Sequence, residues 1–208
     1  MRGLLIKDFI NLKRYNKTII VIIIFFAVNA FIAKDATILS GMIVLLCSMM
    51  SITSFSYDEA AKWDKYALSM PISRKEIVRS KYVLAFILTL FGAFLAFIIN
   101  WIISLFLHKS YMVFEQILIC GAIAGAGMLF VSVLLPFVYK FGVEKARLII
   151  FLVALIPMGL SFLLSQLKIS LPSDEFLKSI GYAIPIVLLI IIYLSYEASK
   201  SIFMKKEL

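Results

Sequence analysis

An all-α membrane protein with six transmembrane helices is the expectation from this chain. An N-terminal interfacial helix should precede the spans, and a helical cytoplasmic loop should join the second to the third. Both termini should be cytoplasmic. Three observations lead there. Of 208 residues, 63% are hydrophobic, and the mean hydropathy is +1.04; a soluble domain is nearer half apolar. Six apolar stretches, about 18–34, 36–57, 82–107, 116–139, 148–167 and 180–199, each approach or exceed the roughly 17–25 residues that cross a bilayer core. The basic residues are also sorted: seventeen of the 21 Lys and Arg fall in the N-terminal tail, the loops after spans two and four, and the C-terminal tail. Basic residues stay on the cytoplasmic side. Residues 1–208 thus read as one transmembrane domain in the plasma membrane, with no soluble domain of any size.

The same sorting accounts for the charge. The whole net charge of +9 lies on the inner side, because Lys34, Lys109, Lys168 and Lys178 are balanced outside by Asp35, Glu115, Asp174 and Glu175. Topology and anionic headgroups explain the basicity, and nucleic acid is not expected as a partner.

Residues 1–17 begin the chain with a basic amphipathic segment. Leu5, Phe9 and Leu12 recur at helical spacing, with Lys7, Asp8, Asn11 and Arg14 on the opposite face. Such a segment abutting a span belongs at the headgroup level. It is either an elbow helix that transmits motion or a plain anchor. The run that follows is too long for the core of a cleaved signal peptide. Spans one and two form a tight hairpin around Lys34-Asp35, and the outer connections at 108–115 and 168–179 are short. Ser173 can cap a short helix in the last of these.

The loop at 58–81 is the longest polar segment. Asp58 suits a helix N-cap, after which Trp63, Tyr66, Ala67 and Met70 share one helical face. Pro71 stops that helix, because the residue before a proline avoids the α region. Ser73-Arg-Lys-Glu76 then reads as a capping box, which starts a new helix running into span three. The loop is a short helix joined by a sharp corner to a transmembrane helix, so a push on one moves the other.

Within the spans, Gly121-Ala-Ile-Ala-Gly125 is a small-residue motif for close helix approach, within the chain or at a dimer face. Pro136, Pro157 and Pro185 place one proline in each of spans four, five and six, as static kinks or as bends lining a path. Asn29 and Asn100 are expected to hydrogen-bond between helices or to meet a substrate in a cavity. Cys47 and Cys120 are small buried hydrophobes. His108, the single histidine, is an interfacial anchor without the company a metal site needs. No ionisable group lies deep in a span, which argues against a proton-coupled carrier, a pump or an intramembrane protease. No Gly-x-x-x-x-Gly-Lys-Ser/Thr occurs, so the chain cannot cradle ATP phosphates itself. Neither catalytic nor metal residues are expected.

Residues 57–82, Tyr57-Asp-Glu-Ala-Ala-Lys-Trp-Asp-Lys-Tyr-Ala-Leu-Ser-Met-Pro-Ile-Ser-Arg-Lys-Glu-Ile-Val-Arg-Ser-Lys-Tyr82, resemble the first cytoplasmic loop of small ABC-2-type permeases of Gram-positive bacteria. The nearest group is the permease half of phenol-soluble-modulin-type peptide exporters. The resemblance implies that this loop is a coupling helix seated in a groove of a separate ATPase, which binds the ATP and Mg. It implies two ATPases per complex, a second permease copy or paralogue, and export of a hydrophobic or amphipathic cargo, a peptide in that group. Asp58, Glu59, Trp63, Tyr66, Met70, Pro71, Ile72, Arg74 and Lys75 would then carry the ATPase contact, with Trp63 and Tyr66 in the groove and Arg74 and Lys75 at its rim. Asn29, Asn100 and Pro157 are candidates for the cavity or its packing, in a cavity expected between spans one, two and five. Two other readings compete. One is a membrane immunity or sensor protein that binds a toxic peptide; the other is a stand-alone channel or carrier, for which the loop is ordinary solvated structure.

Overall fold

The computed structural model describes residues 2–33, 37–106, 113–149 and 174–206, with isolated positions at Leu155, Gly159 and Gln166. Among the described residues there is helix and no strand. The helices are α1 (Arg2–Lys13), α2 (Asn16–Ala33), α3 (Thr37–Ala60), α4 (Trp63–Leu68), α5 (Arg74–Phe106), α6 (Val113–Phe141), α7 (residues 143–149 as described) and α8 (Asp174–Lys205).

Four of them, α3, α5, α6 and α8, are long and apolar enough to cross a bilayer, and a fifth crossing is reached if α1 and α2 count as one bent span. The bend between those two is 65°. The expected fifth span at 148–167, with Pro157, lies almost wholly outside the described residues. So do the turn at Lys34-Asp35, the connection carrying His108, and Ser173. Pro136 and Pro185 sit inside α6 and α8, and both helices continue through them.

Helix α5 has 33 residues. At about 1.5 Å per residue it is roughly 50 Å long, against about 30 Å of hydrocarbon. Its first turns therefore stand clear of the apolar layer. Helix α3 likewise continues to Ala60, beyond the end expected at 57. The loop is correspondingly shorter than the sequence suggested, and several of its charged residues ride on helical extensions of the spans.

The core of the bundle is α3 packed on α5 and α6, with α8 against α6. Small residues permit this. A Cβ placed on Gly92 of α5 would lie 2.7 Å from Cys47 Cβ and 3.2 Å from Val44 Cα, and one on Gly127 of α6 would lie 2.8 Å from Val44 Cγ1. Helix α3 offers both neighbours a buried stripe of Ser40, Val44, Cys47, Ser48, Ser51 and Ser54. The hydroxyls of Ser48 and Ser51 donate to their own helix, to Leu45 and Ser48 carbonyls at 2.9 and 2.7 Å, so their burial leaves no orphan donor. The Gly121–Gly125 motif contributes on one side: among the described residues a Cβ at Gly121 meets nothing within 4 Å, whereas one at Gly125 would press on Leu188 of α8 at 3.2 Å.

Two sets of polar ties join the helices away from the charged pole. Asn100 Nδ2 donates to Ser40 Oγ at 2.5 Å and lies 3.9 Å from Cys120 Sγ, tying α5 to α3 and α6. Asn29 differs from expectation. Its amide donates to Phe25 carbonyl one turn back at 2.8 Å and faces outward, so it makes no tie between helices. The Tyr82 hydroxyl bonds Ser195 Oγ at 2.6 Å and Ser199 Oγ at 2.8 Å. Ser195 in turn donates to the Ser132 carbonyl, closing α5, α8 and α6 into one polar knot.

Candidate functional site

The candidate site is the end of the bundle where α1, α4, the last turns of α3 and the first turns of α5 meet. Chain direction reverses after Ala60 through Lys62, whose φ of 49° is the left-handed conformation. Helix α4 then runs for six residues. It is seated by Ala67, which is fully buried, with Trp63, Leu68 and Ile72 packed against the same core cluster. The helix stops before Pro71. The expected capping box forms: Glu76 N–H donates to Ser73 Oγ at 3.2 Å, and Ser73 N–H donates to Glu76 Oε2 at 3.1 Å. The hydrogen bond from the Ser73 backbone, followed by that from its hydroxyl, holds the Glu76 carboxyl below its ordinary pKa.

Four charges converge behind α4. Lys81 Nζ lies 3.0 Å from Asp8 Oδ1 and 2.5 Å from Asp58 Oδ2, and it donates to Ser54 Oγ at 2.8 Å. Lys7 Nζ lies 2.5 Å from Asp58 Oδ1 and 3.1 Å from Asp8 Oδ1. Asp8, Asp58 and Lys81 are 1%, 7% and 3% exposed. Two carboxylates and two ammonium groups balance, which is the condition for burying charge at all. Lys7 also lies over the Trp63 ring, 4.3 Å from its centroid, and Lys81 over that of Phe55 at 5.0 Å. The cation of α1 therefore touches α4 and α3 at once.

Two further ties fasten this pole. Arg74 Nη1 lies 3.0, 2.9 and 3.0 Å from the carbonyls of Phe203, Met204 and Lys206, and its guanidinium stacks toward the Phe203 ring. It thus caps the C-terminus of α8, where carbonyls lack helical partners. Glu59 Oε2 accepts the Val143 N–H at 3.0 Å at the start of α7. Gly142, with φ +81°, brings that turn in; a Cβ there would meet Glu59 Oε1 at 2.5 Å.

Several expectations change accordingly. Asp58 is not an N-cap and is not on an outer face: it lies inside α3 and is consumed by Lys7 and Lys81. Arg74 is half-buried, and its guanidinium is engaged with the last α8 carbonyls, because an arginine beside a helix C-terminus finds unpaired acceptors there. Glu59 is engaged with α7. Trp63 is half-buried beneath Lys7, and Met70 and Ile72 are half-buried as well, whereas Tyr66 is 62% exposed. Pro71 and Lys75 are exposed. The outward face of the segment is consequently Lys62, Lys65, Tyr66 and Ser69, with Lys75 beyond. On α1 the buried residues are Leu4, Asp8 and Leu12, with Leu5 partly buried, while Phe9 is exposed. Asp8 was expected on the polar face. Its spacing of four from both Leu4 and Leu12 is the signal that places it on the apolar one.

An apolar groove of about 540 Å³ opens between α2, α3 and α5, reaching Phe9 of α1. Ile20, Ile24, Met50, Ile87 and Phe91 line it. It uses the first three spans; the expected contribution of a span at 148–167 lies outside the described residues.

A family model described as "ABC-2 family transporter protein" matches residues 3–204. No curated protein and no solved structure matches the chain.

Proposed function

The chain belongs to the ABC-2 transporter family, a multi-pass membrane component, and from that premise we propose that it is the permease subunit of an ABC exporter, driven by ATP hydrolysis in a separate subunit. The observation that carries this reading is the way α4 is built. Its outer face offers an aromatic among basic side chains, and its inner face is keyed to α1, α3 and α5 through Trp63, Lys7, Asp58 and Lys81. A force on Tyr66 and Lys65 reaches α1, α3 and α5 through Trp63, Lys7 and the ion cluster behind them. Aromatic anchors tend to dominate such interfaces.

In this mechanism, ATP closes two ATPase subunits on a pair of permeases, each a copy or a paralogue of this chain. Each ATPase moves one α4, and the corner at Pro71 passes the motion to α5. ATP must bind one conformation of the assembly better than the other for this to shift it. Lys7 carries the same motion to α1, which acts as an elbow at the membrane surface. Six crossings with both ends in the cytoplasm suit this arrangement. Contacts of Lys7 with Asp58 and of Arg74 with Lys206 support this reading, because they join α1 and the end of α8 to the same pole, at the corner between α3 and α5. That pole also holds most of the basic residues.

The cargo is hydrophobic or amphipathic, in keeping with the apolar groove between α2, α3 and α5, and the loop resemblance favours a peptide. The test is transport into inside-out vesicles containing this chain and its ATPase. ATP-dependent uptake of an amphipathic helical peptide is expected, with none when the ATPase is inactivated. Uptake that is independent of ATP would refute the reading.

A further inference from the structure

A second cleft, of about 250 Å³, lies between α5 and α8 with α6 as its floor. Its interior is apolar, lined by Phe86, Met128, Leu189 and Ile192, and Arg79 stands at its mouth. We propose that this cleft binds one anionic phospholipid from the leaflet at the charged pole, with an acyl chain in the cleft and the headgroup phosphate on Arg79.

Position supports this first. Arg79 lies one turn before the apolar run of α5 begins at Tyr82, and Tyr82 and Tyr196 pack edge to face beside it at 5.5 Å. Arginine followed by tyrosines marks the level of the headgroups. Charge supports it next. Arg79 is exposed and makes no hydrogen bond or ion pair among the described residues. Arg74 caps α8, Lys81 is held by Asp8 and Asp58, and Lys200 pairs with Glu197 at 2.9 Å, while the exposed Lys75, one turn earlier on α5, adds a second unpaired positive charge near the mouth. No acidic residue lines the cleft. An unpaired guanidinium over an apolar slot offers a two-pronged donor to a phosphate and a dry surface to a chain.

Size and the polar groups settle the kind of ligand. The cleft is smaller than the roughly 300–1,000 Å³ of sites that engulf a small molecule, so it suits part of one acyl chain. The Tyr82 hydroxyl is committed to Ser195 and Ser199, which leaves Arg79 to read the headgroup, and it reads charge. A net anionic lipid is favoured over a zwitterionic one, whose ammonium would meet the same arginine.

The experiment is native mass spectrometry of the full chain in detergent, titrated with phosphatidylglycerol or with phosphatidylcholine of the same acyl chains. No ATPase or cargo is present, so the outcome is separate from that of the permease reading. Phosphatidylglycerol should be retained preferentially, and Arg79→Gln should weaken its retention by about fivefold. Leu189→Trp, at an exposed position that can fill the cleft, should displace lipid of either kind. Lys145→Gln, at an exposed position away from the cleft lining, should change nothing. Equal retention by Arg79→Gln and wild type, or equal retention of the two lipids by the wild type, would overturn the proposal.

Discussion

The Lys81 ammonium of α5 lies 3.0 Å from the Asp8 carboxylate of α1, with both side chains almost wholly withdrawn from solvent. That pair joins the surface helix at the start of the chain to the third apolar helix. Asp58 and Lys7 complete it, and through Trp63 the cluster reaches α4.

Replacing Lys81 by Met should destabilise the chain by about 3–5 kcal/mol, because it leaves two buried carboxylates with a single partner. Adding Asp8→Asn to Lys81→Met should recover part of that loss, since the second substitution removes one of the stranded charges. Thermal unfolding in detergent of the two single variants and the double variant gives the coupling directly. Additive losses would mean that the two residues do not act as a pair.

Gly127→Leu should cost about 1–3 kcal/mol or more, because the new side chain must displace Val44 in the seam between α3 and α6. Gly121→Leu, in the more conspicuous motif, should cost less than Gly127→Leu, since no described atom lies within 4 Å of a Cβ there. Melting temperatures of the two variants side by side distinguish the seam that the structure uses from the one that the motif advertises.

Arg74→Ala should expose the last carbonyls of α8 and cost roughly 1–2 kcal/mol. The effect should be local. Hydrogen exchange at residues 203–206 should accelerate while exchange in the centre of α5 is unchanged. Uniform acceleration would show that Arg74 holds the whole bundle rather than one helix end.

The helical class, four of the six expected spans and the corner at 71–76 were legible because each rests on local chemistry. Apolar length, a proline and a Ser73–Glu76 pair act within a few residues of one another. The ion cluster was not legible in the same way, because it is assembled from three stretches far apart in the chain, Lys7-Asp8, Asp58 and Lys81. A polar residue in register with Leu4 and Leu12 was the one local hint, and the amphipathic pattern built on Leu5 and Phe9 obscured it. Arg74 misled for a related reason: an arginine next to a capping box reads as solvated until the end of α8, over a hundred residues later, is folded against it. The packing seam was hidden too. It pairs single glycines, Gly92 and Gly127, with a serine-rich face of α3, whereas the sequence draws the eye to two glycines four apart.

The central claim is that the outer face of α4 docks an ATPase. Tyr66 tests it best, because it is 62% exposed and its ring meets the fold only at the half-buried Trp63 ring, 5.6 Å away, whereas Trp63 itself lies beneath Lys7. The measurement is co-purification in mild detergent from the host, wild type beside Tyr66→Asp, with mass spectrometry of the captured proteins and a melting curve for each variant. The account predicts an ABC ATPase that travels with the wild type and is lost from a Tyr66→Asp variant of unchanged stability. An ATPase held equally by both, or absent from both after crosslinking, would contradict it.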